Sequence, residues 1–121
     1  MKALLFPGQG VQKVGMLNSL FEEISEAKLI IDDVSKSLDF DLEDLLRNGP
    51  EEKINLTEFS QPTILVTSVL LAKYSNKLSN IDITAGLSLG EYSALSCAGY
   101  LDFSDTLKIL RKLEMFLKIN F

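Results

Sequence analysis

Apolar residues along this chain follow two different spacings, one typical of strands and one typical of helices. The mostly apolar run from Lys2 to Phe6 ends at Pro7 and predicts a buried strand followed by a glycine-rich loop. Residues Ile81 to Gly86 form a second strand candidate, which leads into a turn at Ser88. We expect both to be interior strands of a parallel sheet, buried on both faces and paired on both edges.

Between these strands, apolar residues recur at three- and four-residue steps and predict helices. One long helix is predicted over residues 16–38, and a short helix is predicted to end at Gly49, just before Pro50. The residues from Pro62 to Lys77 are apolar nearly all round, which predicts a helix that is buried on most sides and has Pro62 in its first turn. Gln61 is then exposed just before that helix.

Two further helices are predicted after the second strand, over residues 90–98 and 104–118. The last of these carries a leucine stripe that we expect to face the core, formed by Leu107, Leu110, Leu113 and Leu117. The order of strand, helices, strand and helices predicts an α/β fold with short parallel strands and several covering helices.

The composition narrows the classes of function. The chain has 121 residues, about one domain, and its longest apolar stretch, residues 64–72, is half of the roughly 20 residues that a membrane helix needs. Its net charge of −5 is unfavourable for binding nucleic acid. A single cysteine, Cys97, and the lack of histidine exclude an internal disulfide and a Cys/His zinc site. We expect a cytoplasmic protein with no metal, no nucleic-acid partner and no membrane segment.

The decapeptide GLSLGEYSAL, residues 86–95, has the G-x-S-x-G form that places a nucleophilic serine on a sharp strand-to-helix turn. In such a turn the hydroxyl of Ser88 is exposed, and the backbone N–H of Leu89 points at the oxyanion that develops during acyl transfer. Ser88 could also have a purely structural role. Ser88 and Glu91 match the S-x-x-E capping box, which would make Ser88 only the start of a helix.

The loop FPGQGVQKVGM, residues 6–16, is the second candidate for chemistry. It lacks the third glycine of a Rossmann loop, because Lys13 stands there, and it lacks the Gly-Lys-Ser/Thr of a Walker loop. Nucleotide phosphate binding is therefore not predicted. The loop could instead bring backbone N–H groups up to a substrate oxygen, with Gln9 lining the site. Alternatively, Gln9 is only a solvated turn residue.

Four segments occur here in an order and spacing that resemble the malonyl-CoA:acyl-carrier-protein transacylase family: FPGQGVQKVGM, SQPTILVTSVLL, GLSLGEYSAL and AGYLDFSDTLKIL. The resemblance covers essentially residues 1–121 and implies the N-terminal part of the family's large subdomain, a partial acyltransferase core of the α/β-hydrolase-like type. It also implies that Ser88 is the nucleophile, that the backbone N–H groups of Gln9 and Leu89 form the oxyanion hole, and that Gln61 lines the pocket.

The reaction implied by the resemblance is a ping-pong acyl transfer. Malonyl passes from coenzyme A to the serine and then to the phosphopantetheine thiol of acyl carrier protein, in fatty acid or polyketide synthesis. The implied partners are therefore a coenzyme A thioester and an acyl carrier protein, and no metal or redox cofactor takes part.

The chain departs from the family pattern at several positions. The family has a histidine before the nucleophile, where Leu87 stands, and an Arg-Gly pair that holds the malonyl carboxylate, where Leu113 and Glu114 stand. If the alignment with the family pattern were shifted by two residues, Arg111 would be the residue that binds the malonyl carboxylate. Family chains are also much longer, and the resemblance implies that the small ferredoxin-like subdomain and the catalytic histidine are absent from these 121 residues.

A serine needs an adjacent base to become a useful nucleophile, and this chain has no histidine. Glu91 does not fill the role, because a capping box turns its carboxylate toward backbone N–H groups. We therefore expect the isolated chain to be inactive. One hypothesis is a truncated enzyme, or half of a split enzyme whose partner chain supplies the histidine. The other is a non-catalytic relative that binds a carrier protein or an acyl group.

Two contact surfaces are predicted. The open edges of two short strands favour a homo-oligomer, joined through the sheet edge or by exchange of the C-terminal helix, unless a partner chain covers them. The last predicted helix is basic, with Lys108, Arg111, Lys112 and Lys118 against Glu114, and is the expected docking surface for an acidic carrier protein.

Overall fold

Two short parallel strands and seven helices make up the part of the chain that the computed structural model describes, residues 1–75 and 79–120. The strands are β1 (Ala3–Phe6) and β2 (Ile83–Gly86), which pair in register along their whole length. The helices are α1 (Asn18–Glu23), α2 (Ser25–Lys36), α3 (Leu42–Asn48), α4 (Glu51–Ile54), α5 (Thr57–Tyr74), α6 (Leu89–Cys97) and α7 (Phe103–Asn120). The predicted α/β class with a parallel strand pair is confirmed.

The long helix predicted over residues 16–38 is wrong in one respect, because it is divided into α1 and α2. The division lies at Ile24, whose backbone is extended, with φ −130° and ψ 99°. The Ile24 N–H still bonds to the Leu20 carbonyl at 2.9 Å, and the Ala27 N–H bonds to the Ile24 carbonyl at 3.1 Å. Because backbone hydrogen bonds continue on both sides of Ile24, the apolar residues keep their helical spacing. The sequence pattern therefore does not reveal the break.

Helix α5 begins at Thr57, five residues before the predicted start, so Pro62 lies inside the helix and not in its first turn. A proline has no N–H to pair with the carbonyl four residues earlier, here that of Glu58. Arg111 of α7 donates from Nη1 to this carbonyl at 3.4 Å and compensates for the lost bond. The helix is buried on most sides, as predicted. Its predicted end at Lys77 lies outside the described residues.

The chain between α3 and α5 contains one predicted boundary and one unpredicted helix. Helix α3 ends where expected, with Gly49 at φ 76°, and it begins with the Asp41 side chain accepting from the Asp44 N–H at 2.9 Å. The four-residue helix α4 then follows Pro50 directly. It was not predicted, because four residues are too few to show an apolar period.

The sheet is covered by helices on one face only. Helix α6 lies against the face that carries Phe6 and Thr84, where Phe6 is buried and the Thr84 hydroxyl donates to the Ala94 carbonyl at 3.1 Å. The opposite face is exposed and entirely apolar, formed by Ala3, Leu5, Ile83 and Ala85. The prediction of strands buried on both faces is therefore wrong for this chain.

The leucine stripe of α7 is buried only in its first half. Leu107 and Leu110 lie in the core, whereas Leu113 is 38% exposed and Leu117 is 40% exposed. The buried position in the next turn is instead Glu114, at 5% exposure. The prediction that Leu113 is a core residue is wrong, because the face that continues from Leu110 passes through residue 114 at the helical step of four.

The core itself forms between α1, α2, α3, α5 and α7, with one contribution from α6. Its fully or nearly buried members are Leu17, Phe21, Ile31, Val34, Leu42, Leu46, Ile64, Leu65, Val66, Leu70, Leu89, Leu107 and Leu110. Within the described ranges, no helix combines the length and apolar character needed to cross a membrane.

Candidate active site

Ser88 stands at the turn between β2 and α6 in a conformation that non-glycine residues seldom adopt, with φ 52° and ψ −115°. Neighbouring glycines make this turn possible. A Cβ on Gly86 would lie 2.0 Å from the carbonyl carbon of Gly90, and a Cβ on Gly90 would lie 2.3 Å from the carbonyl oxygen of Phe6. Strained backbone of this kind clusters at functional sites, where the surrounding structure maintains it.

The capping-box interpretation of Ser88 is not supported by this geometry. Ser88 immediately precedes α6, but its side chain makes no capping hydrogen bond. The Glu91 N–H bonds instead to the Ser88 backbone carbonyl at 3.0 Å. Ser88 is exposed, and within the described part of the chain its hydroxyl has no hydrogen-bond partner. The hydroxyl is therefore free to react with a substrate.

The glycine-rich loop after β1 lies directly against this turn. A Cβ on Gly8 would lie 2.9 Å from the Leu87 carbonyl oxygen and 3.7 Å from the Ser88 Cβ, so only glycine fits there without a shift. The Leu87 N–H also bonds to the Phe6 carbonyl at 3.2 Å. The two segments that the sequence singled out for chemistry are thus brought together beside Ser88.

Side chains of the loop fasten it to the beginning of α5. Gln9 donates from Nε2 to the Thr57 hydroxyl at 3.2 Å, and Gln12 donates from Nε2 to Asn55 Oδ1 at 2.8 Å. Gln9 is exposed, in agreement with the interpretation of a solvated turn residue, and its side chain in addition ties the loop to α5. The prediction that Gln61 is exposed just before the helix is wrong, because Gln61 is partly buried inside α5, four residues after Thr57 and on the same face of the helix.

The Ser88 turn and the loop that packs against it each carry a backbone N–H group that no described residue pairs. Those of Gln9 and Leu89 have no acceptor among residues 1–75 and 79–120. Leu89 is the first residue of α6, where a helix leaves its N–H groups unpaired and carries a partial positive charge. An anionic oxygen bound there would be stabilised, which is the requirement for a tetrahedral intermediate of acyl transfer.

Arg111 is directed toward acidic groups of its own chain. Its Nη2 lies 2.6 Å from Asp39 Oδ1, and its Nη1 lies 3.2 Å from Glu114 Oε2. Lys118 extends the cluster, with its Nζ 2.8 Å from Glu58 Oε2. The guanidinium therefore already has two carboxylate partners, in addition to the Glu58 carbonyl. This arrangement suits a structural role better than the binding of a substrate carboxylate.

The charged cluster contains a buried titratable group. The Glu114 side chain is 6% exposed, and burial raises the pKa of its carboxyl above the usual 4.5, against the opposing effect of Arg111 and Lys118. Its Oε1 has no hydrogen bond among the described residues, although Lys118 Nζ lies 3.8 Å away.

Among residues 1–75 and 79–120, no side chain is placed as a general base for Ser88. There is no histidine in the sequence. Glu91 is exposed, and within the described part of the chain its carboxylate makes no hydrogen bond to the Ser88 hydroxyl. Cys97 is half-buried, and burial raises the pKa of its thiol, which disfavours the reactive thiolate. The site thus combines a free hydroxyl with free N–H donors and lacks a group to take the proton.

Sequence reasoning missed the residues that position the site. Thr57 and Asn55 hold the loop from 48 and 43 positions along the chain, and Asp39 binds Arg111 across 72 positions. Polar pairs at such separations leave no local spacing signal. The only available sign was the group of glutamines in the loop, Gln9 and Gln12, whose amides need partners.

Comparison with protein families gives a match over nearly the whole chain. The model for the acyl transferase domain matches residues 3–115. Malonyl CoA-acyl carrier protein transacylase of Staphylococcus aureus strain MSSA476 is 46% identical over 111 residues, and the enzyme of the same name from Bacillus subtilis strain 168 is 43% identical over 111 residues. In both cases the match covers 91% of this chain but only 35% of the relative.

Solved structures give the same result for the fold. The malonyl CoA-acyl carrier protein transacylase from Coxiella burnetii superposes with a TM-score of 0.87 at 36% identity, over 96% of this chain and 37% of that one. A malonyl-transacylase in complex with its type II polyketide acyl-carrier protein superposes with a TM-score of 0.83 at 38% identity, over 90% of this chain and 36% of that one. The chain thus spans about a third of the length of these relatives.

Proposed function

The chain belongs to the acyl transferase domain family, and from that premise we propose that it is the nucleophile-bearing part of an enzyme that transfers malonyl from coenzyme A to acyl carrier protein. Residues 1–121 then correspond to the N-terminal part of the large subdomain. The observation that carries this proposal is the strained turn that holds a free Ser88 hydroxyl beside the free N–H groups of Gln9 and Leu89.

In this proposal the reaction has two displacement steps. Ser88 Oγ attacks the thioester carbonyl, the oxyanion is bound by the two N–H groups, and coenzyme A leaves as its thiol, which gives malonyl-Ser88. The phosphopantetheine thiol of the carrier protein then attacks the ester and restores the serine. Gln61 lines the pocket from α5. Neither step needs a metal or a redox cofactor, but both need a base that takes and returns one proton.

The base is proposed to come from polypeptide other than these 121 residues, since the sequence has no histidine. The relatives are about three times as long as the matched stretch, so their remaining length has room for it. A test is a chimera in which this chain is continued by the part of the Staphylococcus aureus transacylase that follows the matched stretch. We expect the chimera to transfer malonyl to carrier protein and the Ser88→Ala chimera to be inactive.

A comparison of the chimera with and without one substitution tests which position binds the malonyl carboxylate. Leu113 stands where the family pattern has arginine, and Arg111 is occupied by Asp39 and Glu114. In the chimera, Leu113→Arg should therefore lower the KM for malonyl-CoA about tenfold or more, the value of one charge-assisted hydrogen bond. An inactive chimera in the presence and absence of this substitution would contradict the proposed function.

A second candidate function is carrier-protein binding without catalysis. It is favoured by Leu87 and Leu113, which stand at both positions where the family pattern has a polar residue. A chimera that binds carrier protein with wild-type affinity but never acylates Ser88 would support this alternative.

A further inference from the structure

The first turn of α5 has a carbonyl that the helix itself cannot pair. Each carbonyl of a helix normally accepts from the N–H four residues later, and Pro62 has no N–H to donate to Glu58. The next carbonyl is well paired, since the Thr63 hydroxyl donates to the Phe59 carbonyl at 2.6 Å. A proline is also one of the common places for a helix to bend. The first turn, residues 57–61, is therefore joined to the rest of α5 less firmly than in a regular helix.

Helix α7 holds this turn through Glu58. Arg111 donates from Nη1 to the Glu58 carbonyl at 3.4 Å, and Lys118 Nζ lies 2.8 Å from Glu58 Oε2. The Arg111 guanidinium is itself oriented by Asp39, whose Oδ1 lies 2.6 Å from Nη2, and by Glu114. A planar guanidinium with carboxylate partners at both of its terminal nitrogens has little freedom to turn away. Arg111 thus replaces the missing helix N–H.

The residue before Glu58 holds the glycine-rich loop. The Thr57 hydroxyl accepts from Gln9 Nε2 at 3.2 Å, and the backbone N–H of Gln9 is one of the two donors left without an acceptor among the described residues. A donor that is to bind an oxyanion must be held within about 0.5 Å of its working position. Gln61 belongs to the same turn. The position of the Gln9 N–H therefore depends on how the first turn of α5 is held.

We propose that Arg111 is a positioning residue for the oxyanion-binding loop. By bonding to the Glu58 carbonyl it fixes the first turn of α5, and the bond between Gln9 and Thr57 then holds the loop at that turn. The inference rests on the proposed function, because acyl transfer is what gives the Gln9 N–H a task in the reaction. Within the described residues Arg111 makes no hydrogen bond to Ser88 or to the loop, so it acts through α5.

Backbone ¹⁵N relaxation of the isolated chain tests the position of the loop without any acyl transfer. Arg111→Met keeps the apolar stem and removes the guanidinium. The order parameters of the Gln9 and Gln12 amides should then fall from about 0.85, the value of rigid backbone, toward about 0.6. Lys28→Met is the control, because it breaks an ion pair of 2.7 Å with Glu43 between α2 and α3, and it should leave both order parameters unchanged.

Pro62→Ala separates the proposed role from simple ion pairing with Asp39 and Glu114. The substitution gives α5 an N–H of its own for the Glu58 carbonyl. In this background Arg111→Met should no longer loosen the loop, and the order parameters should return to about 0.85. If Arg111 matters only because it neutralises the two carboxylates, Pro62→Ala cannot repair its loss.

The kinetics of the chimera described above provide the second readout. Arg111→Met should lower kcat about tenfold or more and raise the KM for malonyl-CoA by a smaller factor, because an oxyanion donor acts in the transition state. Thr57→Val breaks the last bond of the same connection and should give a similar loss. The two substitutions together should cost little more than either alone, since they interrupt one connection. An inactive chimera would refute the proposed function, and the relaxation data would still decide the role of Arg111.

Three results would overturn the proposal. The first is a folded Arg111→Met chain in which the Gln9 and Gln12 amides keep their order parameters. The second is equal loosening of the loop in the presence and absence of Pro62→Ala. The third is a full additive loss of kcat for Arg111→Met and Thr57→Val. If Arg111→Met alone does not fold, the double variant with Pro62→Ala should fold, and an unfolded double variant would equally overturn the proposal.

Discussion

Ser88 shows how single residues determine the chemistry of this site. Its φ is positive and its side chain makes no capping hydrogen bond to α6, so a residue that matches the capping-box pattern does not act as a cap. The G-x-S-x-G pattern predicted the turn because the two glycines are required by close contacts that any Cβ would violate. The pattern of Ser88 and Glu91 could not reveal whether Ser88 caps the helix or stands on a strained turn with a free hydroxyl, since both structures use the same residues.

The glycine requirement gives a prediction about stability. Gly90→Ala would place a methyl group 2.3 Å from the Phe6 carbonyl oxygen and force β1 and α6 apart, which should cost about 3 kcal/mol or more of unfolding free energy. Gly10→Ala is the control, because it meets no atom within 4 Å and suffers only backbone strain at φ 114°, about 1 kcal/mol. Chemical denaturation of both variants measures the difference. Equal losses would mean that the contact at Gly90 is not tight.

At the scale of the elements, α7 is attached to α5 by charges as well as by leucines. The sequence predicted α7 within two residues at either end but assigned Leu113 to the core in place of Glu114. A polar residue in a buried position cannot be inferred from apolar spacing, since its partners, here Arg111 and Lys118 for Glu114, decide whether burial is tolerated.

The buried carboxyl of Glu114 predicts a pH dependence of stability. Its folded pKa lies above the usual 4.5, so the folded chain binds this proton more tightly than the unfolded chain does. The contribution of Glu114 to stability is therefore present at low pH and is lost as pH rises from 4.5 through the folded pKa. Thermal melts between pH 4.5 and 8 should show that Glu114→Gln removes this loss. A profile parallel to the wild type would contradict the prediction.

The outward charges of α7 predict how a carrier protein binds. Arg111 and Lys118 are held by acidic residues, and Lys108 Nζ lies 3.7 Å from Asp105 Oδ1, so Lys112 is the lysine of α7 that has no ion pair within the described residues and is available to an acidic partner. Lys112→Glu should weaken binding of acyl carrier protein several-fold, and added salt should reduce the wild-type affinity. Lys36→Glu, on the exposed side of α2, is the control. Titration calorimetry that finds equal effects for both variants would place the docking surface elsewhere.

At the scale of the whole molecule, the fold class was predictable and the burial of the sheet was not. Periodicity identifies β1 and β2 as apolar strands, and it assigns them to a sheet interior because both faces are apolar. Among the described helices, α6 packs against the opposite face of the strands, and Ala3, Leu5, Ile83 and Ala85 remain exposed. Their apolar character is explained if further polypeptide covers this face.

The exposed apolar surface predicts self-association of the isolated chain. Leu113, Met115 and Leu117 are exposed on the second half of α7, at 38%, 63% and 40%. We expect a light-scattering mass above 13.5 kDa at micromolar concentration, and Leu117→Lys together with Leu113→Lys should restore the monomer. A monomeric wild-type chain with a sharp cooperative melt would show that this surface is tolerated in solvent.

The central claim is that this chain holds the nucleophile and the oxyanion-binding groups but lacks the base. Intact mass spectrometry of the isolated chain after incubation with malonyl-CoA tests it most directly. We predict an unchanged mass over minutes, because removal of the base from a serine–histidine system costs about four to six orders of magnitude in rate. Rapid addition of one malonyl group, abolished by Ser88→Ala, would contradict the claim.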